Sequence, residues 1–153
     1  MSLFSALSVS ASGMSAQRAR TEVLVENLAN AETTRTPEGG PYRRKDVVFQ
    51  SAGQSAEFSS ILAQADAVSP WNADASLTGV EVAEVVTDSR DPERRYQPGH
   101  PDADADGNVA YPRVNPAEDM VDLMSASRGY QSNVSAMQAV KDMLHRSIDL
   151  LRG

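Results

Sequence analysis

The chain has 153 residues, no cysteine and a formal net charge of −7, with apolar residues at 41% but aromatic ones at only 5%. The lack of cysteine excludes disulfides, thiolate nucleophiles and cysteine-held zinc; the acidic balance disfavours nucleic-acid binding, which needs a basic face to neutralise phosphates. With a single tryptophan, Trp71, a large aromatic core is also excluded, so the apolar residues must find burial in another way.

From residue 2 to 31, alternating steps of four and three select Leu3, Leu7, Ser10, Met14, Gln17, Thr21, Leu24, Leu28 and Ala31. A spacing of 3.5 residues predicts a helix carrying the narrow stripe of a coiled coil. The helix is assigned to residues 1–32 and would be ~43 Å long. Gly13 is its weak point, at a cost of ~1 kcal/mol relative to alanine. Ser10, Gln17 and Thr21 dilute the stripe, so order is expected to come from packing rather than propensity. Serines interrupt the apolar residues of the first turns and no basic segment precedes them, so a cleaved secretory signal is not expected. No apolar run approaches the ~20 residues of a membrane span.

The next stretch, TTRTPEGGPYRR (Thr33 to Arg44), holds two prolines and two glycines that stop the helix and impose turns. It leads into a strand at Lys45 to Phe49, the two together forming a unit over 33–50. Residues 51–78, rich in Ser, Ala, Gln and Asp, read as a variable insertion or loop with a helical turn near Phe58 to Leu62. Gly79 to Thr87 predicts a second strand, because Val80 and Val82 alternate with Glu81 before a continuous apolar pair. Five prolines between 88 and 116 exclude a long helix there, and the Asp106-Gly107 turn precedes a third strand at Asn108 to Val114. Residues 79–114 thus complete a small β domain.

Asn115, Pro116 and Glu118 mark a helix start, with a capping side chain, a proline at the first helical position and a glutamate at the third. The helix is assigned to 115–153 and would run ~54 Å to about Leu151. The same steps select Leu123, Ser127, Tyr130, Val134, Met137, Lys141, Leu144, Ile148 and Leu151. A charge within such a stripe, here Lys141, is expected to fix register or partner. The predicted fold is α+β, with long N- and C-terminal helices packed as a coiled coil around a small β-rich domain.

Little in the chain suggests chemistry. DADADG (Asp102 to Gly107) matches the first six positions of an EF-hand calcium loop, but the twelfth, which needs a bidentate glutamate, is Arg113. A solvated acidic turn is the favoured reading. His100 and His145 stand apart from any ligand set, and no nucleophile elbow, phosphate-binding loop or HExxH segment is present. No catalytic activity, metal or cofactor is therefore expected. Met120, Met124, Met137 and Met143 are read as helix packing in preference to an adaptable binding face.

Three segments carry a family resemblance. NLANAETTRTPEGGPYRRKDVVF (Asn27 to Phe49), YQPGHPDADADGNVAYPRVN (Tyr96 to Asn115) and EDMVDLMSASRGYQSNVSAMQAVKDML (Glu118 to Leu144) resemble the flagellar basal-body rod proteins. The resemblance implies a structural subunit of the proximal rod, the drive shaft crossing the periplasm. It also implies export through the flagellar type III apparatus without a cleaved signal, and helical assembly with other rod proteins and with copies of itself. In such a subunit the terminal helices pair near the axis and no membrane insertion is involved. Leu3, Leu7, Met14, Leu24, Leu28, Leu123, Tyr130, Val134, Met137, Leu144, Ile148 and Leu151 are the expected assembly residues on the helices. Asn27 and Asn30 of the signature join them, and Tyr42, Arg43 and Arg44 are expected to bridge to an adjacent subunit. A soluble coiled-coil adaptor, or another type III secreted protein, is the alternative; a calcium- or ligand-binding β module is a distant third.

Overall fold

A computed structural model describes residues 3–52 and 79–152. Helix α1 (Leu3–Ala29) leads through the signature loop to strand β1 (Lys45–Ser51). Strands β2 (Val80–Thr87), β3 (Glu93–Tyr96) and β4 (Asn108–Tyr111) follow, and helix α2 (Pro116–Arg152) closes the chain. The architecture is α+β, with two helices flanking a β region made of two separate two-stranded antiparallel sheets, β1 with β2 and β3 with β4. The expected insertion at 51–78 lies outside the described residues apart from Ser51 and Ala52, and so do Trp71 and the helical turn near Phe58.

The helices lie side by side and antiparallel. Gly13 faces Asn133, Gln17 faces Gly129, and Arg20 reaches Asp122 at 3.5 Å, so numbering rises along one helix as it falls along the other. The two glycines explain the close approach. A Cβ on Gly13 would stand 2.9 Å from the Asn133 amide, and one on Gly129 would stand 3.3 Å from Gln17. The glycine that propensity marks as a weak point therefore sits within the helix contact, where an added side chain would displace the Asn133 amide.

The buried face of α2 differs by one residue from the expected stripe. Asp119, Ala126 and Val140 are buried and recur at multiples of seven, with the half-buried Asn133 completing the series. The expected row at Leu123, Met137 and Leu144 is half-buried, whereas Ser127, Lys141 and Ile148 are exposed. Tyr130 is also largely exposed and Val134 is half-buried. The displaced row arose from counting the larger apolar residues; the helix instead turns its small and polar residues, Ala126, Gly129 and Asn133, toward α1. Lys141 accordingly points away from the pair.

Asn30 follows the last residue of helix α1, and both its backbone N–H, at 3.1 Å, and its side-chain amide, at 2.9 Å, donate to the Glu26 carbonyl of the last turn. The loop then folds on itself: Thr36 N–H donates to the Gly40 carbonyl and Tyr42 N–H to the Thr33 carbonyl. Gly39 (φ 91°) and Gly40 (φ 80°) occupy the left-handed region that this reversal demands. At the start of α2, the Asn115 side chain accepts from Ala117 N–H at 3.2 Å, which realises the expected cap.

The β1–β2 ribbon rests on α1. Val47 and Phe49 point inward, Ser12 Oγ accepts from Val80 N–H at 3.0 Å, and the register slips between Val48 and Phe49. Strand β3 was missed by the sequence reading. It consists of Glu93, Arg94, Arg95 and Tyr96, with no apolar alternation, and becomes a strand only because β4 pairs with it. Val109 of β4, 1% exposed, anchors that hairpin.

Candidate assembly interface

The signature loop returns to the root of the helix pair and fastens both helices. Asn27 of α1 is fully buried, and its side chain makes three hydrogen bonds. Its Oδ1 accepts from the Tyr42 hydroxyl and from Lys45 N–H, each at 2.9 Å, while its Nδ2 donates to the Lys45 carbonyl at 2.8 Å. A buried amide that ties a loop and a strand start in this way substitutes for water at groups that would otherwise be stranded. On the other helix, Asp119 is 1% exposed and accepts from Arg44 Nη2 at 2.9 Å. Arg44 Nε and Asp119 Oδ2 have no hydrogen-bond partner among the described residues.

Electrostatics follow from this burial. The Tyr42 phenol is pushed up to about 12, first by desolvation and then by the carboxylates of Glu26 and Asp119. Desolvation also raises the Asp119 carboxyl above the ordinary range, against the lowering effect of Arg44. A group whose folded pKa is raised lends stability that is present below its unfolded pKa and lost as pH climbs through the folded value. For Tyr42 that window is pH 10 to 12. The alkaline absorbance titration of the protein minus that of Tyr42→Phe should therefore isolate one phenol with a midpoint near 12; a midpoint near 10 would place the ring in water.

The residues expected to mediate assembly thus separate into two sets. Asn27 and Tyr42 are buried inside the chain, Leu24 is 3% exposed, and Asn30 and Arg44 are largely drawn in. Leu7, Met14 and Leu28 are half-buried on α1, with Leu123, Val134, Met137 and Leu144 likewise on α2. Arg43, Tyr130 and Ile148 face solvent. The backbones of Leu3 and Leu151 fall at the two helix ends, within α1 and α2.

The signal that sequence reasoning missed is on the outer side of α2. Met120, Val121 and Met124 stand exposed on one face at spacings of one, three and four, and beyond Leu144 every side chain through Leu150 is exposed. Ile148 and Leu150, the latter 83% exposed, project past the point where α1 begins. Met143 is exposed as well, so among the four helix methionines only Met137 is drawn into the chain. The outer ribbon adds Val48, Val82, Val85 and Val86. Exposed apolar side chains gathered in this way are the candidate contact surface of the chain.

Among the described residues of the β region, the acidic side chains of Asp102 and Asp104 are taken up by the turns. The Asp102 carboxylate accepts from Thr34 Oγ1 at 2.8 Å, and Asp104 Oδ1 accepts from the N–H groups of Asp106 and Asn108. The acidic residues are thus turn-formers. Among the described residues no three His, Asp or Glu side chains are grouped to hold a metal ion, and no helix is long and apolar enough to cross a membrane.

Two family models match the chain over its helices. Residues 7–35 match a model described as flagella basal body rod protein, and residues 105–150 match one described as flagellar basal body rod FlgEFG protein C-terminal. The flagellar basal-body rod protein FlgC of Bacillus subtilis is 44% identical over 154 residues, covering 98% of this chain and 99% of the relative. Proteins of the same name are 39% identical in Salmonella typhimurium, with 98% of each chain covered, and 35% identical in Borreliella burgdorferi, with 100% of each covered.

Proposed function

The chain belongs to the FlgC family of flagellar basal-body rod proteins, and from that premise we propose how this structural subunit is delivered and joined. It leaves the cytoplasm through the flagellar type III apparatus and takes its place in the proximal rod within the periplasm. There it packs helically with other rod proteins and with copies of itself through its terminal helices, and carries torque across those contacts. The observation that supports this reading is the exposed apolar face of α2, which includes Met120, Val121 and Met124 and which nothing in the chain covers among the described residues. A heterologous contact that does not close on itself builds a tube, and helices packed along its length give it stiffness.

The buried root has its own part in the proposal. Asn27, Tyr42, Arg44 and Asp119 hold the loop against both helices, so the loop sets the angle at which the β region leaves the pair. Torque then passes through a braced joint. The test is a deletion strain complemented with Val121→Asp/Met124→Asp. These side chains are exposed, so the purified variant should match the native chain in circular dichroism yet be absent from basal bodies, and the cells should be non-motile. Full motility with normal occupancy of the variant would overturn the reading.

A further inference from the structure

The β3–β4 hairpin has an acidic tip, and at its open end the signature loop brings Arg43 and Arg44 beside Arg90 and Arg113. Its closed end is the loop Pro98 to Gly107, which contains Asp102, Asp104 and Asp106. The loop is rigid: Asp104 caps two of its own N–H groups, Gly107 sits at φ 78°, and Asp102 is fixed to Thr34. Asp104 and Asp106 remain exposed at the tip.

The open end, where Pro92 precedes β3 and Arg113 follows β4, forms a notch of about 40 Å³ between Pro41, Pro92 and four arginines. Arg44 is committed to Asp119, which leaves Arg43, Arg90 and Arg113 around a single carboxylate, Asp88. Arg90 grips Asp88 through Nε and Nη2 and, with its own N–H, holds that carboxyl down to about 2. Arg43 and Arg113 spend one N–H each on the carbonyls of Asp88 and Asp91, and neither makes an ion pair with a carboxylate among the described residues. The lining of the notch itself is cationic, with Glu93 and Glu118 in the adjoining cleft beside Arg90 and Arg113, and it has room for a carboxylate and not for a metabolite.

The acidic tip cannot reach the notch of its own chain, because the paired strands hold the two ends ~13 Å apart and Thr34 pins the tip. We propose that the Asp104–Asp106 tip of one copy docks in the Arg43, Arg90 and Arg113 notch of the next. The contact is heterologous, so it repeats from copy to copy in one direction and fixes the register between β regions as the helices stack. Complementary charge at the rim sets orientation and excludes wrong neighbours. This inference rests on the rod reading, since it takes copies of the chain to be adjacent.

The experiment uses cells lacking the chromosomal copy and the full chain carried on a plasmid. Because the chain has no cysteine, Ala105→Cys/Ser89→Cys places one thiol at each end of the contact. Oxidised basal bodies should then yield dimers and higher multimers, while either single substitution yields monomer only. Basal bodies that contain the double variant only as monomer would overturn the docking contact and leave the rod reading standing; absence of the native chain from basal bodies would overturn both.

A charge swap asks the same question without cysteines. Ala105→Lys/Asp106→Lys, which spares the turn-forming Asp104, and Arg43→Glu/Arg113→Glu should each lower occupancy of the basal body about tenfold, through like charges brought together. Co-expression of the two should restore it to within about twofold, since each tip then meets an opposite notch. Failure of the mixture to recover would overturn the proposal.

Discussion

Replacing Asn27 by leucine should lower the stability of the folded chain by about 3 kcal/mol, read as a shift of the urea midpoint at unchanged slope. Leucine fills much the same space but makes none of the three hydrogen bonds, leaving Lys45 N–H, the Lys45 carbonyl and the Tyr42 hydroxyl facing an apolar group. Each stranded buried group costs about 1–3 kcal/mol, and partial access to water at the loop brings the sum toward the low end. Tyr42→Phe removes only one of the three bonds and should cost about 1 kcal/mol. In the double variant the two effects should fall short of adding, because Asn27→Leu has already deprived the hydroxyl of its acceptor.

The second large effect is at Arg44 and Asp119, and its two halves are unequal. Arg44→Ala leaves a carboxylate 1% exposed without its cation and should cost about 3 kcal/mol at pH 7. Asp119→Ala should cost less, about 2 kcal/mol, because the Arg44 guanidinium also lies 3.5 Å from Asp46 and is partly wetted. Burial already raises the Asp119 carboxyl, and Arg44→Ala takes away the one group that lowers it. The sign follows by linkage: with a raised folded pKa, stability is greatest in acid and is lost as pH rises through that value. The penalty of Arg44→Ala should accordingly be smaller at pH 4 than at pH 7, by chemical denaturation at the two pH values. A penalty independent of pH would show that Asp119 is not held in the buried pair. Arg44→Met/Asp119→Leu should be near neutral, since it removes both charges together.

These side chains also show where the sequence was readable. The start of α2 and the location of β1, β2 and β4 follow from local chemistry: Asn115 and Pro116, and valine alternation bounded by turn residues. Such signals act over a few residues and survive in the fold. Strand β3 was invisible because pairing with β4, not its own charged sequence, makes it extended. The one-residue displacement on α2 has the same origin. Periodicity finds the largest apolar residues, whereas close helix contact at Gly13 and Gly129 selects small and polar ones.

The candidate interface divides similarly. The signature loop was singled out for Tyr42, Arg43 and Arg44 as a bridge to an adjacent subunit, but a sequence does not show which of three neighbours turns inward. Tyr42 and Arg44 are drawn to Asn27 and Asp119, and Arg43 is left to solvent. The exposed methionines could have been suspected from Met120 and Met124 at helical spacing, and were read as packing because helical methionines ordinarily are. Only the position of α1 shows that they face away from it.

The central claim is that the outer face of α2 is completed by neighbouring subunits. An electron cryomicroscopy map of intact basal bodies, with this chain fitted in the rod, tests it most directly. Met120, Val121 and Met124, together with the projecting Ile148 and Leu150, should be covered by adjacent chains, with the α1–α2 pair retained as it stands here. A map in which that face of α2 lines open solvent, and the contacts are made elsewhere, would contradict the account.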